Sequence, residues 1–157
     1  MGIIDCPAAM SSPVPYVVIT PVRNEENNFP QTIESFVVQT IRPSAWIIVD
    51  DGSTDRTGSI SDAAASQYPW IQVVHRNDRG FRQPGAGVVE AFYDGLALIG
   101  DRIWDYLVKF DGDLAFEPNY FARCFERFDR NESLGIGGGV ICQIGRASCR
   151  ERVSPRV

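Results

Sequence analysis

Two acidic turns, each directly behind an apolar run, carry the chemistry available to this sequence. Trp46-Ile47-Ile48-Val49 leads into Asp50-Asp51-Gly52-Ser53-Thr54-Asp55, and Tyr106-Leu107-Val108-Lys109-Phe110 leads into Asp111-Gly112-Asp113. On a strand-end turn, Asp111 and Asp113 offer hard oxygen donors to a divalent cation. Ions of the magnesium type bind through one or two carboxylates plus substrate phosphates, so a cation held there would hold a diphosphate as well. Ligands of open α/β sheets gather at the carboxyl ends of the strands, which sends both turns to one edge of one sheet. The expectation is a nucleotide-diphosphate site.

The elements that must position these turns read as alternating strands and helices. Tyr16 to Thr20 is a continuous, β-branched run suited to a strand buried on both faces, and Pro21 ends it. After the polar loop Arg23 to Asn28, Pro30 fits the first turn of a helix whose Ile33, Phe36, Val37 and Thr40 would face the sheet. Trp46 to Val49 is the second strand. Asp55 is placed to cap a helix running to about Gln67. Ile71 to Val74 is the third strand, His75 to Gly87 a long loop, and Val88 to Ile99 a helix ended by Gly100. Trp104 to Phe110 is the fourth strand. Phe121, Cys124, Phe125 and Phe128 fall on one face of a helix over Tyr120 to Phe128, and Leu134 to Ile141 reads as a fifth strand. This alternation implies βαβ units and a mainly parallel sheet.

Composition narrows the function classes. A chain of 157 residues suits one domain, and 44% hydrophobic with 22% charged residues is an ordinary globular balance. The formal net charge of -5 argues against a nucleic-acid partner, which would need a basic face. The four cysteines show no C-x-x-C spacing and His75 is the single histidine, which argues against a zinc site and for reduced thiols. No apolar run nears the ~20 residues that span a bilayer, and no secretory signal is visible, so a cytoplasmic location is expected.

Taken together, Ile19-Thr20-Pro21-Val22-Arg23-Asn24-Glu25, Val49-Asp50-Asp51-Gly52-Ser53-Thr54-Asp55 and Asp111-Gly112-Asp113 resemble the nucleotide-binding half of an inverting glycosyltransferase of family 2. The resemblance covers roughly Tyr16 to Gln143. It implies the GT-A fold: a Rossmann-like, mainly parallel sheet with flanking helices, here incomplete at the C-terminus. It also implies roles. Pro21 shapes a loop along base and ribose, Arg23 stacks on the base and Glu25 anchors the loop. Asp51 accepts a hydrogen bond from the uracil N–H, with Asp50 assisting. Asp111 meets ribose or metal, and Asp113 is the firmer ligand of Mn²⁺ or Mg²⁺. Arg82 lies where the family places groups near the diphosphate. Each residue also has a plain structural alternative: an Asx-turn for Asp51, a surface turn for Pro21 to Glu25, a solvated loop charge for Arg82. Tyr93 stands where the family often has Asn, two residues before the glycine matched by Gly95.

The function implied is metal-dependent transfer of a sugar, with inversion, from a nucleotide-diphospho-sugar (a UDP-sugar favoured) to a glycan or lipid-linked acceptor. Polysaccharide or cell-envelope synthesis at the inner face of the membrane is the family-level setting, with membrane association only through regions outside this sequence. The family's general base belongs to an acceptor half beyond the chain end, so binding of donor without efficient transfer is expected. Rival readings fit less well. A sugar-phosphate nucleotidyltransferase would need a Gly-rich basic loop where Pro21 to Glu25 stands. A receiver-type Mg²⁺-binding signalling module would carry its paired acids after the first strand and a late-strand Lys. An inactive nucleotide-binding remnant shares the ancestry.

Three segments are expected: a loose leader over 1–15, the nucleotide-sugar-binding domain over 16–143, and a non-native tail over 144–157. Ile144 to Val153 reads as the translation of a short-read sequencing adapter, ATC GGA AGA GCG TCG TGT AGG GAA AGA GTG.

Overall fold

Tyr16–Val22 (β1) forms the spine of a parallel sheet. The computed structural model describes residues 14–78, 80, 86–138 and, as backbone, 152–155. The order of elements is β1, α1 (Phe29–Val37), β2 (Ala45–Asp50), α2 (Thr57–Gln67), β3 (Ile71–His75), α3 (Ala86–Ala97), β4 (Tyr106–Lys109), α4 (Tyr120–Asp129), β5 (Leu134–Gly138) and β6 (Arg152–Pro155). The sheet order is β3-β2-β1-β4 with every pair parallel. Every residue of β2, and all of β1 except Pro21, is buried, which is why these two strands read as unbroken apolar runs.

Alternation along the strands feeds two cores. Tyr16, Val18, Trp46 and Ile48 face Phe29 and Phe36 of α1, Ala64 of α2, and Phe121 and Phe125 of α4. Val17, Ile19, Ile47 and Val49 face the other way, onto Ala91 of α3 and onto Ile99. Gly95 brings α3 down onto that second face: a Cβ there would stand 2.7 Å from Ile19 Cγ2 and 3.0 Å from Val49 Cγ2.

The first helix follows the sequence reading, with proline in its opening turn. It ends at Val37, however, so Thr40 is exposed rather than turned to the sheet, and its N–H donates to the Pro118 carbonyl. Thr32, Ser35 and Gln39 are buried in its place. Gly100 closes the α3 unit with a φ of 58°, and β4 is shorter than the run Trp104 to Phe110. Leu134 opens a strand as expected, but β5 pairs antiparallel with β6 in a separate two-stranded sheet. The strand β6 draws on the segment read from the sequence as tail. Most of the leader, and Ile141 at the expected end of the fifth strand, lie outside the described residues.

Candidate functional site

The parallel register brings the carboxyl ends of β1, β2 and β4 to one edge. Val22 pairs with Asp50, and Ile19 with Lys109, so Asp50 closes β2 while Asp111 and Asp113 follow β4 by a few residues. The end of β1 lies between the two acidic turns and touches both. The Asp51 N–H donates to the Val22 carbonyl at 2.9 Å. On the other side, a Cβ on Gly112 would stand 2.5 Å from Val22 Cγ1 and 3.3 Å from Phe29 Cδ2.

The loop that leaves β1, Arg23 to Glu25, is tied to the first acidic turn and to the start of α2. Arg23 donates from Nη1 to the Asp51 carbonyl and from Nη2 to Asp78 Oδ1, both at 2.6 Å. Asn24 sits at φ 55°, a left-handed conformation that Asn tolerates better than most residues. From there its N–H reaches Ser53 Oγ at 3.0 Å, and its Oδ1 accepts from the Thr54 N–H at 2.8 Å. The Glu25 N–H donates to Thr57 Oγ1 at 2.8 Å, and the Glu25 carbonyl accepts from the N–H groups of Asn28 and Phe29. Its carboxylate takes the Asn28 side-chain amide. Pro21 does not end the first strand as expected: it pairs with Val49 inside β1, which runs on to Val22. Glu25 anchors the loop that follows, and Arg23 braces it against Asp51 and Asp78.

Within the turn, Asp50 is nearly buried and Asp51 lies further out. Asp50 Oδ1 accepts the Ser53 N–H, three residues on, at 2.9 Å and so closes the turn, and its Oδ2 meets His75 Nδ1 at 3.0 Å. His75 Nε2 meets Asp62 Oδ1 on α2 at 2.9 Å. Hydrogen bonds to Asp62 and Asp50 raise the His75 pKa, because an imidazolium alone can donate to both carboxylates. Asp51 Oδ1 accepts from Arg76 Nη1 at 2.8 Å. Gly52 turns at φ 71°, and a Cβ on it would lie 2.5 Å from Asp78 Cα. Asp55 stands one place before the Arg56 N-cap, and its Oδ1 accepts the Thr57 N–H at 2.9 Å. Burial raises its pKa, but bonds from the Thr57 hydroxyl and from the Thr57 and Glu26 N–H groups outweigh this and leave it lowered. The Asp78 pKa is lowered too, first by the Gly80 N–H and then by Arg23.

In the second turn, buried Gly112 separates two exposed carboxylates, Asp111 and Asp113. Asp111 pairs with Lys109. The Gly112 carbonyl accepts from buried Thr32 Oγ1 at 2.9 Å, which pins the turn to α1. Among the described residues no three His, Cys, Asp or Glu side chains gather as a metal cage. Two exposed oxygen donors on a pinned turn fit a Mg²⁺- or Mn²⁺-type ion that completes its shell with phosphate and water, and do not fit a structural zinc.

The structure thus brings Pro21, Arg23, Glu25, Asp50 and Asp51 together and places Asp111 and Asp113 across the end of β1. Arg82, with its neighbours Arg79 and Gly85, lies outside the described residues. Sequence reasoning missed His75, Arg76 and Asp78. The one available signal was that they follow the third strand, and so fall on the same edge of the sheet.

Comparison with known proteins gives the family and the fold. A family model described as glycosyl transferase family 2 matches residues 17–152. The polyprenol monophosphomannose synthase of Mycolicibacterium smegmatis is 31% identical over 127 residues, covering 80% of this chain and 45% of its own. The undecaprenyl-phosphate mannosyltransferase of Micrococcus luteus is 31% identical over 121 residues, covering 77% of this chain and 46% of its own. The chain therefore spans less than half the length of these relatives. Among solved structures, S. aureus TarS 1-349 in complex with UDP-GlcNAc superposes with a TM-score of 0.62 at 17% identity, covering 86% of this chain and 37% of that one. The mannosyltransferase PcManGT from Pyrobaculum calidifontis, in complex with GDP-Man and Mn2+, gives 0.60 at 20% identity, covering 84% and 37%. At these identities the likeness shows the fold, the GT-A arrangement of sheet and helices.

Proposed function

Because the chain belongs to glycosyl transferase family 2, we propose that it forms the donor-binding part of an inverting, metal-dependent glycosyltransferase. The observation that carries this reading is the pair of acidic turns flanking the end of β1, one braced by the Arg23–Glu25 loop and the other pinned by Thr32. Asp51 accepts an N–H of the nucleotide base, Asp50 holds the turn that presents it, and the loop at Arg23 lies along base and ribose. Asp111 and Asp113 hold Mn²⁺ or Mg²⁺. A bound divalent ion supplies neutralisation of the charge that develops on the departing nucleoside diphosphate. The acceptor hydroxyl or phosphate oxygen bonds to the anomeric carbon as the bond to the diphosphate breaks.

Uracil N3–H suits the Asp51 carboxylate, which supports a UDP-sugar, and guanine N1–H meets the same acceptor equally well. The two relatives named for mannosyl transfer to polyprenyl phosphates support a lipid-phosphate acceptor, with the reaction at the cytoplasmic face of a membrane. No helix among the described residues is long and apolar enough to cross a membrane. Since the chain spans less than half the length of these relatives, we assign the general base to the remainder and expect the chain alone to bind donor and transfer sugar slowly.

Calorimetric titration with UDP, GDP and dTDP, each with and without Mn²⁺, tests the reading. Metal-dependent binding of one nucleotide is expected and names the donor class. A cooperatively folded chain that binds none of the three contradicts it.

A further inference from the structure

The geometry assigns Arg76 as the positioning residue for the base-reading carboxylate, and so as a determinant of which nucleotide the site prefers. This rests on the donor-site reading above and deepens it. Arg76 follows β3 directly, and its backbone N–H is fixed to the Asp50 carbonyl at 2.8 Å. From that anchor one guanidinium reaches two other elements. Nη1 donates to Asp51 Oδ1 at 2.8 Å. Toward α3, Nε meets Asp94 Oδ2 at 2.9 Å and Nη2 meets Glu90 Oε2 at 3.3 Å. The Arg76 and Asp51 side chains are only 19% and 13% exposed, whereas Glu90 and Asp94 are about half exposed at 53% and 51%. The Asp51 contact is therefore the sheltered arm of the fork, the one least weakened by solvent.

A base N–H needs an acceptor, and a carboxylate oriented toward it supplies one. The planar fork fixes where Asp51 points by referring it to α3, a rigid element packed on the sheet through Gly95. A lysine would retain the charge but cannot span Asp51 and α3 in one planar group.

The test is titration of the full chain with UDP, GDP, dTDP and inorganic pyrophosphate in Mn²⁺, for the wild type, Arg76→Gln, Arg76→Lys, Asp51→Asn and the double variant Arg76→Gln/Asp51→Asn. Arg76→Gln is expected to lower affinity for the preferred nucleotide about tenfold and to narrow its margin over the other two. Pyrophosphate binding should stay unchanged, because the D-x-D turn is untouched. Arg76→Lys should fall between wild type and Arg76→Gln, and it carries the test if Arg76→Gln does not fold. Adding Arg76→Gln to Asp51→Asn should cost little more, since the two act as one unit. A folded Arg76 variant that keeps the wild-type margin between bases overturns the assignment, whether affinity is unchanged or uniformly lower. A wild-type chain that binds no nucleotide overturns the donor-site reading itself, a separate and distinguishable failure.

Discussion

Thr32→Val separates the pinning of the metal-side turn from the bulk of its side chain. Thr32 is fully buried, and its hydroxyl donates to the Gly112 carbonyl at 2.9 Å. Valine preserves the shape and removes the donor, stranding a buried carbonyl. An unsatisfied buried acceptor costs about 1–3 kcal/mol. The added methyl recovers less than ~1 kcal/mol through burial. The net loss is then about 1–2 kcal/mol, which at ~2–4 °C per kcal/mol for a chain of this size lowers Tm by about 2–8 °C. Thr32→Ser keeps the donor and gives up only a methyl, so it should lose about 1 kcal/mol. The decisive contrast is functional. Thr32→Val should weaken Mn²⁺-dependent nucleotide binding because the backbone between Asp111 and Asp113 loosens, whereas Thr32→Ser should not. Urea unfolding and calorimetric titration of both variants make the check. Equal stability of Thr32→Val and wild type, or equal Mn²⁺-dependent binding by Thr32→Val and wild type, would refute the claim that this bond holds the turn.

Two further expectations follow. Gly52→Ala places a Cβ 2.5 Å from backbone at Asp78 in a residue already at φ 71°, so the Asp50–Ser53 turn must open; a loss of about 1–3 kcal/mol is expected by urea unfolding, and nucleotide affinity should fall with it. His75 has a raised pKa in the folded chain, so its bridge to Asp62 and Asp50 contributes stability in full below about pH 6.5, and that contribution disappears as pH rises through the folded value. The stability difference between wild type and His75→Gln should therefore shrink on going from pH 6 to alkaline pH. A difference that stays constant would show that the imidazole does not bridge as a cation; the ring is 47% exposed, so the amplitude should be small.

What the sequence disclosed, and what it hid, divides along physical lines. The two central strands were legible because burial on both faces leaves only apolar, β-branched choices, as at Val17 to Ile19 and Ile47 to Val49. The acidic turns were legible because their position is local: each follows its own strand. Helix ends were less so. Thr40 continues the helical spacing of Ile33, Phe36 and Val37, yet the chain leaves the helix after Val37 so that Gln39 can turn inward and donate to the Glu117 carbonyl at 2.7 Å. Pairing of Leu134–Gly138 outside the main sheet depends on a distant partner strand, which no local pattern reveals. His75 and Arg76 read as the start of a loop. Their roles come from contacts with residues distant in sequence: Asp50 and Asp51, set opposite by the register of β2 against β3, and Asp62 and Asp94, brought in by the packing of α2 and α3. The expected boundary between native domain and tail near Gln143 is a separate proposal, answered by an independent read of the gene across that codon.

The central claim is that Asp111 and Asp113 hold a divalent ion that in turn holds a nucleoside diphosphate. Electron paramagnetic resonance of Mn²⁺ titrated into the chain, with and without the nucleoside diphosphate it prefers, tests this most directly. The free-ion signal should fall with wild type and fall much further when nucleotide is added, and Asp113→Ala should abolish the nucleotide-dependent loss while leaving Tm unchanged. Undiminished ternary binding in a folded Asp113→Ala chain would contradict the account.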